Sequence, residues 1–146
     1  MRRILMAMAV AWSGAACAAR PPEAVEPGMA GAGPLAGTLE VEVTGDTARL
    51  TLHATNATEA PVRLEFTSAQ RYEFEVWTLG GERLWQWSEG RAFAQVVTEE
   101  QLAAGGTLRE RVAWSGARPG EYIAVGRLLA AGAPVSLSSR FRVPAR

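Results

Sequence analysis

Residues 38–56 read TLEVEVTGDTARLTLHATN, and apolar side chains recur through them with period two. Leu39, Val41 and Val43 alternate with Glu40 and Glu42; after Gly45-Asp46 the same period resumes, with Leu50 and Leu52 alternating with Thr51 and His53. Successive side chains of a strand leave on opposite faces, so this spacing predicts two half-buried strands, and the Gly-Asp pair between them predicts a tight hairpin turn.

Outward from that hairpin the period persists to the C-terminus. VRLEFTS (62–68) places Val62, Leu64 and Phe66 on one side, and RYEFEVWTL (71–79) does the same with Tyr72, Phe74 and Val76. Gly80-Gly81 then leads into ERLWQWS (82–88); two glycines supply the positive φ angles that a short hairpin loop demands. Further strands are predicted at AFAQVV (92–97), LRERVAW (108–114), EYIAVGRLL (121–129) and VSLSSRFRV (135–143), the last with Val135, Leu137, Phe141 and Val143 on one face. No window keeps a helical period for three turns. Short alternating strands with turn signals every 8 to 12 residues, over about 105 residues, predict an all-β, immunoglobulin-like antiparallel β-sandwich spanning 38–146.

The chain ahead of that domain has a different character. Arg2 and Arg3, the short apolar run Ile4 to Ala11 and the small residues SGAACAA have the layout of a signal peptide over 1–19, and the run is too short to span a bilayer. Cys17 is the only cysteine, and Gly14-Ala15-Ala16 before it resembles a lipobox, although Gly14 stands where a large aliphatic residue is usual. Two outcomes stay open: acylation at Cys17, giving a cell-envelope lipoprotein, or ordinary cleavage after Ala16 or Ala19, giving a periplasmic or secreted protein. Residues 20–37, RPPEAVEPGMAGAGPLAG, are rich in Pro, Gly and Ala and predict a flexible tether. A lone cysteine in the export segment cannot staple the domain, which must stand on its core.

Composition excludes several functions. The 146 residues carry zero formal net charge, and the 15 basic residues, all arginine, are scattered among 15 acids of which Asp46 is the only aspartate. Nucleic-acid binding needs clustered cations that release phosphate counterions, and no such stripe exists. The single histidine, His53, falls on the polar parity of its strand with no nucleophile or base spaced to partner it, and reads as a solvated face residue. Converging metal ligands are not suggested either, and adjacent Glu99 and Glu100 read as a charged loop. Asn56-Ala57-Thr58 has the form of a glycosylation acceptor and reads as a loop in an exported bacterial chain. The residues thus predict a binding or structural sandwich rather than an enzyme, with no cofactor.

The tryptophans divide by parity. Trp85 and Trp87 share one face of their strand, opposite Leu84, Gln86 and Ser88, and are expected to fill the space between sheets. Trp114 shares its face with Leu108 and Val112 and is expected in the core. Trp77 falls in with Glu73, Glu75 and Leu79, which makes it a candidate partner contact.

Residues 68–128 resemble the BsuPI-type intracellular proteinase inhibitor domain. The resemblance rests on Ser68 to Gln70 leading into Tyr72-x-Phe74, on Gly81-Glu82-x-x-Trp85-x-Trp87-Ser88 with Gly90-Arg91-x-Phe93, on Leu102 with Gly105-Gly106, on Trp114, and on Pro119-Gly120-x-Tyr122. It implies an immunoglobulin-like sandwich that binds and inhibits a subtilisin-type serine protease through its loops, with Tyr72, Phe74, Trp85, Trp87, Phe93, Trp114 and Tyr122 as structural signature. Family members are named intracellular, whereas this chain carries an export signal, so its target is expected outside the cytoplasm. For such an activity the first contact candidate is the turn Ser88-Glu89-Gly90-Arg91, in which Gly90 permits a tight turn and Arg91 projects; Glu99 to Gly106, EEQLAAGG, is a second exposed loop. The competing expectation is an exported or lipid-anchored immunoglobulin-like module that binds a protein through its sandwich edge or Trp77 without inhibiting anything.

Overall fold

The computed structural model describes residues 33–145, so the signal segment, Cys17 and most of the tether lie outside the described residues. Nine strands form the domain: β1 (Leu35–Thr44), β2 (Thr47–Asn56), β3 (Val62–Phe66), β4 (Tyr72–Thr78), β5 (Arg83–Gln86), β6 (Thr98–Leu102), β7 (Thr107–Ser115), β8 (Gly120–Leu128) and β9 (Val135–Val143). All pairings are antiparallel. One sheet has the order β1-β2-β7, a second the order β5-β4-β8-β9, and β3 pairs with β6 in a short two-stranded sheet.

The β1–β2 hairpin is in the register that the alternation predicts, with Thr44 opposite Thr47 and Leu39 opposite Leu52. Gly45 has φ 63 while Asp46 is not in the positive-φ region, the type II′ arrangement that requires glycine at the first loop position. The apolar side chains of β1 lie against the second sheet: a Cβ added at Gly126 of β8 would stand 3.0 Å from Leu39 Cδ1, and one at Gly37 would stand 2.6 Å from Val135 Cγ1. At one end of the sandwich Trp114 of β7 meets Tyr122 of β8 edge-on at 5.3 Å and Phe141 of β9 at 6.4 Å, so one indole bridges both sheets. Tyr122 Oη donates to the Arg118 carbonyl at 2.8 Å. That bond is the tyrosine corner of immunoglobulin-like domains, and it explains the Pro119-Gly120-x-Tyr122 spacing.

Several expectations need correction. β1 begins at Leu35, inside the segment read as tether, because Leu35 is 2% exposed and Gly37 is squeezed against β9; Pro and Gly masked the alternation there. AFAQVV is not a strand, and the strand that pairs with β3 is the charged TEEQL that follows it. Its register sets Glu99 opposite Glu65 and Glu100 opposite Leu64, and the acids reach cations off that register: Glu99 accepts from Arg63, and Glu100 accepts from Arg71 at 2.6 Å, so what was read as a charged loop is a strand with ion pairs. His53 is half-buried, with Nε2 3.7 Å from Glu40, rather than solvated. Asn56 is not an exposed acceptor. It is 1% exposed, donates to the carbonyls of Ala60 and Leu102, and accepts from Thr58 N and Oγ1, tying the β2–β3 loop to the end of β6.

Candidate functional site

The strand β4 carries the signature Tyr72-x-Phe74-x-Val76 toward the core, where Phe74 and Val76 are fully buried. Its other parity should be wet, yet Glu73 and Glu75 are each only 6% exposed. A buried carboxylate is costly unless it is hydrogen-bonded or paired, and both are. Glu75 accepts from Trp77 Nε1 at 2.8 Å and pairs with Arg127 Nη1 at 3.0 Å. Trp77 is consequently half-buried, with Arg83 above its ring at 5.9 Å, rather than a free indole.

Glu73 is the organising group. Its Oε1 accepts from the backbone N–H of Phe74 and of Ser88, each at 3.1 Å, and its Oε2 accepts from Gln70 Nε2 and Gln86 Nε2, each at 3.0 Å, and from Ser88 Oγ. Five donors converge on one carboxylate. Burial pushes its pKa up, but the bonds from Gln86, Ser88 and Phe74 outweigh that and hold it below the ordinary carboxylate value. Glu73 therefore stays ionised and ties the end of β5 to β4.

The turn that Glu73 holds is Ser88–Arg91. Glu89 N donates to Gln86 O and Arg91 N to Ser88 O, and Gly90 sits at φ 75, a conformation that a side chain would strain. Ser88 is spent on Glu73, while Glu89, Gly90 and Arg91 are exposed. Arg91 folds back: its Nε donates to Trp87 O at 2.8 Å, and its guanidinium lies 4.7 Å from the Trp87 ring centroid. Trp87 in turn stacks on Tyr72 at 4.4 Å and faces Phe93 at 5.5 Å. Tyr72, Trp87 and Phe93 form an aromatic ladder beneath the turn, and Trp85, opposite Val76, also packs against the core, partly buried. The other candidate, Glu99 to Gly106, splits into β6 and a turn at Ala103–Gly106.

The residues missed by sequence reasoning are Glu73, Gln70 and Gln86. Their sequence carries no distinct signal: acids and amides at alternate strand positions also mark a solvated face, and their convergence depends on the β4–β5 pairing, in which Glu75 stands opposite Gln86. Among the described residues no group of three or more His, Cys, Asp or Glu side chains is placed to hold a metal ion.

The sequence family described as intracellular proteinase inhibitor, BsuPI, matches residues 35–133, which runs from the first residue of β1 through the tyrosine corner to the segment after β8. The chain belongs to the BsuPI family. The segment that fixes the membership contains the Glu73 cluster, the aromatic ladder and the Ser88–Arg91 turn. BsuPI is a proteinase-inhibitor family, which makes a protease the partner class of its members. No curated protein matches the chain. Among solved structures it is similar to red sea bream transglutaminase (TM-score 0.48, 8% identity, 77% of this chain and 17% of that chain) and to an alkylpurine DNA glycosylase from Pseudomonas fluorescens bound to DNA (0.42, 16%, 77% and 31%). A third is a β-galactosidase of Bacteroides fragilis (0.41, 17%, 73% and 16%). The BsuPI-like chain thus spans less than a third of the length of these proteins.

Proposed function

We propose that this chain inhibits a subtilisin-type serine protease by binding it through loops of the sandwich, foremost the Ser88–Arg91 turn, and that it acts by binding alone and not as an enzyme. The observation that carries the reading is the Glu73 carboxylate: five hydrogen bonds fix the base of an exposed turn to a buried strand. An inhibitor must cover about 800 Å² of its partner and loses affinity for every loop it has to order on docking, so a turn already held in place favours tight association. The BsuPI membership supports the protease as partner.

We propose further that the protein acts outside the cytoplasm. The N-terminal pattern of basic pair, apolar run and small residues supports export, with Cys17 as the acylation site if the protein is a lipoprotein and residues ahead of β1 as its tether. Replacing both Glu89 and Arg91 by alanine tests the assignment of the turn. The account expects competitive inhibition by the unaltered protein and a weakened double variant; full inhibition by the double variant would remove this turn as the contact. The alternative, a non-inhibitory protein-binding module, is favoured by one observation: Trp77 lies on the outer face of β4, only partly buried, beside the Glu75–Arg127 pair.

A further inference from the structure

Directly after the turn, residues 91–97 (RAFAQVV) run to β6 without belonging to any strand. Among the described residues, the backbone of 92–97 makes one hydrogen bond with the rest of the domain, from Ala69 N to Ala94 O at 2.9 Å. Val96 is 46% exposed and Val97 62%, the two highest values among the exposed large hydrophobic residues described. Beyond Arg91, over residues 92–97, the run has no charge and no proline, two devices with which proteins protect unpaired, strand-compatible backbone from association. It is nevertheless well anchored. The Glu73-held turn fixes its start, Phe93 packs against Trp87 at 5.5 Å, and β6 fixes its end by pairing with β3.

We infer that Ala92–Val97 is the segment that enters the substrate cleft of the protease as an added strand, with free backbone groups pairing to the cleft and Val96 and Val97 against its apolar pockets. Strand addition needs an accessible backbone for affinity and side chains for specificity, and this run offers both. Apart from Phe93, which is turned to Trp87, its residues are small, β-branched or amide-bearing and none is charged, so the favoured partner is an endopeptidase whose pockets take uncharged side chains, not one that requires Lys or Arg. The inference rests on the inhibitor reading and adds to it the part of the surface that occupies the cleft.

The test combines inhibition with amide hydrogen exchange on the whole protein. With a subtilisin-type protease, the amides of 92–97 are expected to gain protection, and to gain none when the protease serine has first been blocked by phenylmethylsulfonyl fluoride. A V96E/V97E variant is expected to lose at least about tenfold in inhibition, roughly 1.4 kcal/mol, with little change in the unfolding midpoint because both side chains are exposed. Inhibition by V96E/V97E at the strength of the unaltered protein, or protection that appears elsewhere or with the blocked protease, overturns the inference while the inhibitor reading survives. Protection of 92–97 in the protein alone, rising with its concentration, would mean that the run pairs with a second copy and overturns it as well. An unaltered protein that inhibits no such protease overturns both.

Discussion

A glutamate at position 73 does what no apolar residue and no amide could do there. Only an ionised carboxylate accepts from five donors without offering one, so Glu73→Gln turns an NH2 group toward Gln70, Gln86 or Ser88 and leaves donors facing donors. The expected cost is about 2–4 kcal/mol, read from urea unfolding. Because the Glu73 pKa is lowered in the fold, its stabilisation is complete above the unfolded-state value and is lost as pH falls through the folded one. Stability of the unaltered protein should therefore drop in that acid range, and E73Q should flatten the drop. Glu110 has the opposite sign. It lies on the inner parity of β7 between Leu108 and Val112, and burial raises its pKa, with Glu100 adding and Arg71 opposing. A raised carboxylate favours the fold below its unfolded-state pKa and loses that contribution as pH rises through the folded value. Glu110→Gln should accordingly raise the unfolding midpoint near neutral pH, with the difference vanishing in acid.

At the level of elements, alternation located most strands because a half-buried sheet imposes it: Val135, Leu137, Phe141 and Val143 are all buried as their spacing predicts. The misreadings have physical causes. AFAQVV has strand composition but no neighbour to pair with, since β3 is taken by TEEQL, whose pattern is set by ion pairs with Arg63 and Arg71 and not by apolar burial. Composition sees the first and is blind to the second, because pairing is decided by partners distant in the chain. Leu35 and Gly37 were hidden in a Pro/Gly-rich run for a related reason: the glycine marks a close approach to β9, not a loop. Gly37→Ala should thus cost about 1–3 kcal/mol, as overpacking does, in a thermal or urea unfolding experiment. A residue of a loose tether would tolerate the change without effect.

The whole molecule is a sandwich whose two larger sheets are bridged by the Trp114–Tyr122–Phe141 cluster, with the Glu73-held turn and the strandless run 91–97 following one another in the chain. Family and fold were legible in the sequence because they rest on short-range spacing. The hydrogen-bonded base of the Ser88–Arg91 turn was not, because a glutamate bonded by Gln70, Gln86 and Ser88 looks in sequence like any solvated acid. Tyr122→Phe should cost about 1 kcal/mol by unfastening the corner, one hydrogen bond, without altering inhibition, since Arg118 and Tyr122 belong to neither the turn nor the run. The measurement that bears most directly on the account is the residual activity of a subtilisin-type serine protease titrated with the purified protein, with electrophoresis of the mixture. The account predicts stoichiometric loss of activity with the added protein intact; full protease activity at a large excess of folded protein would contradict it.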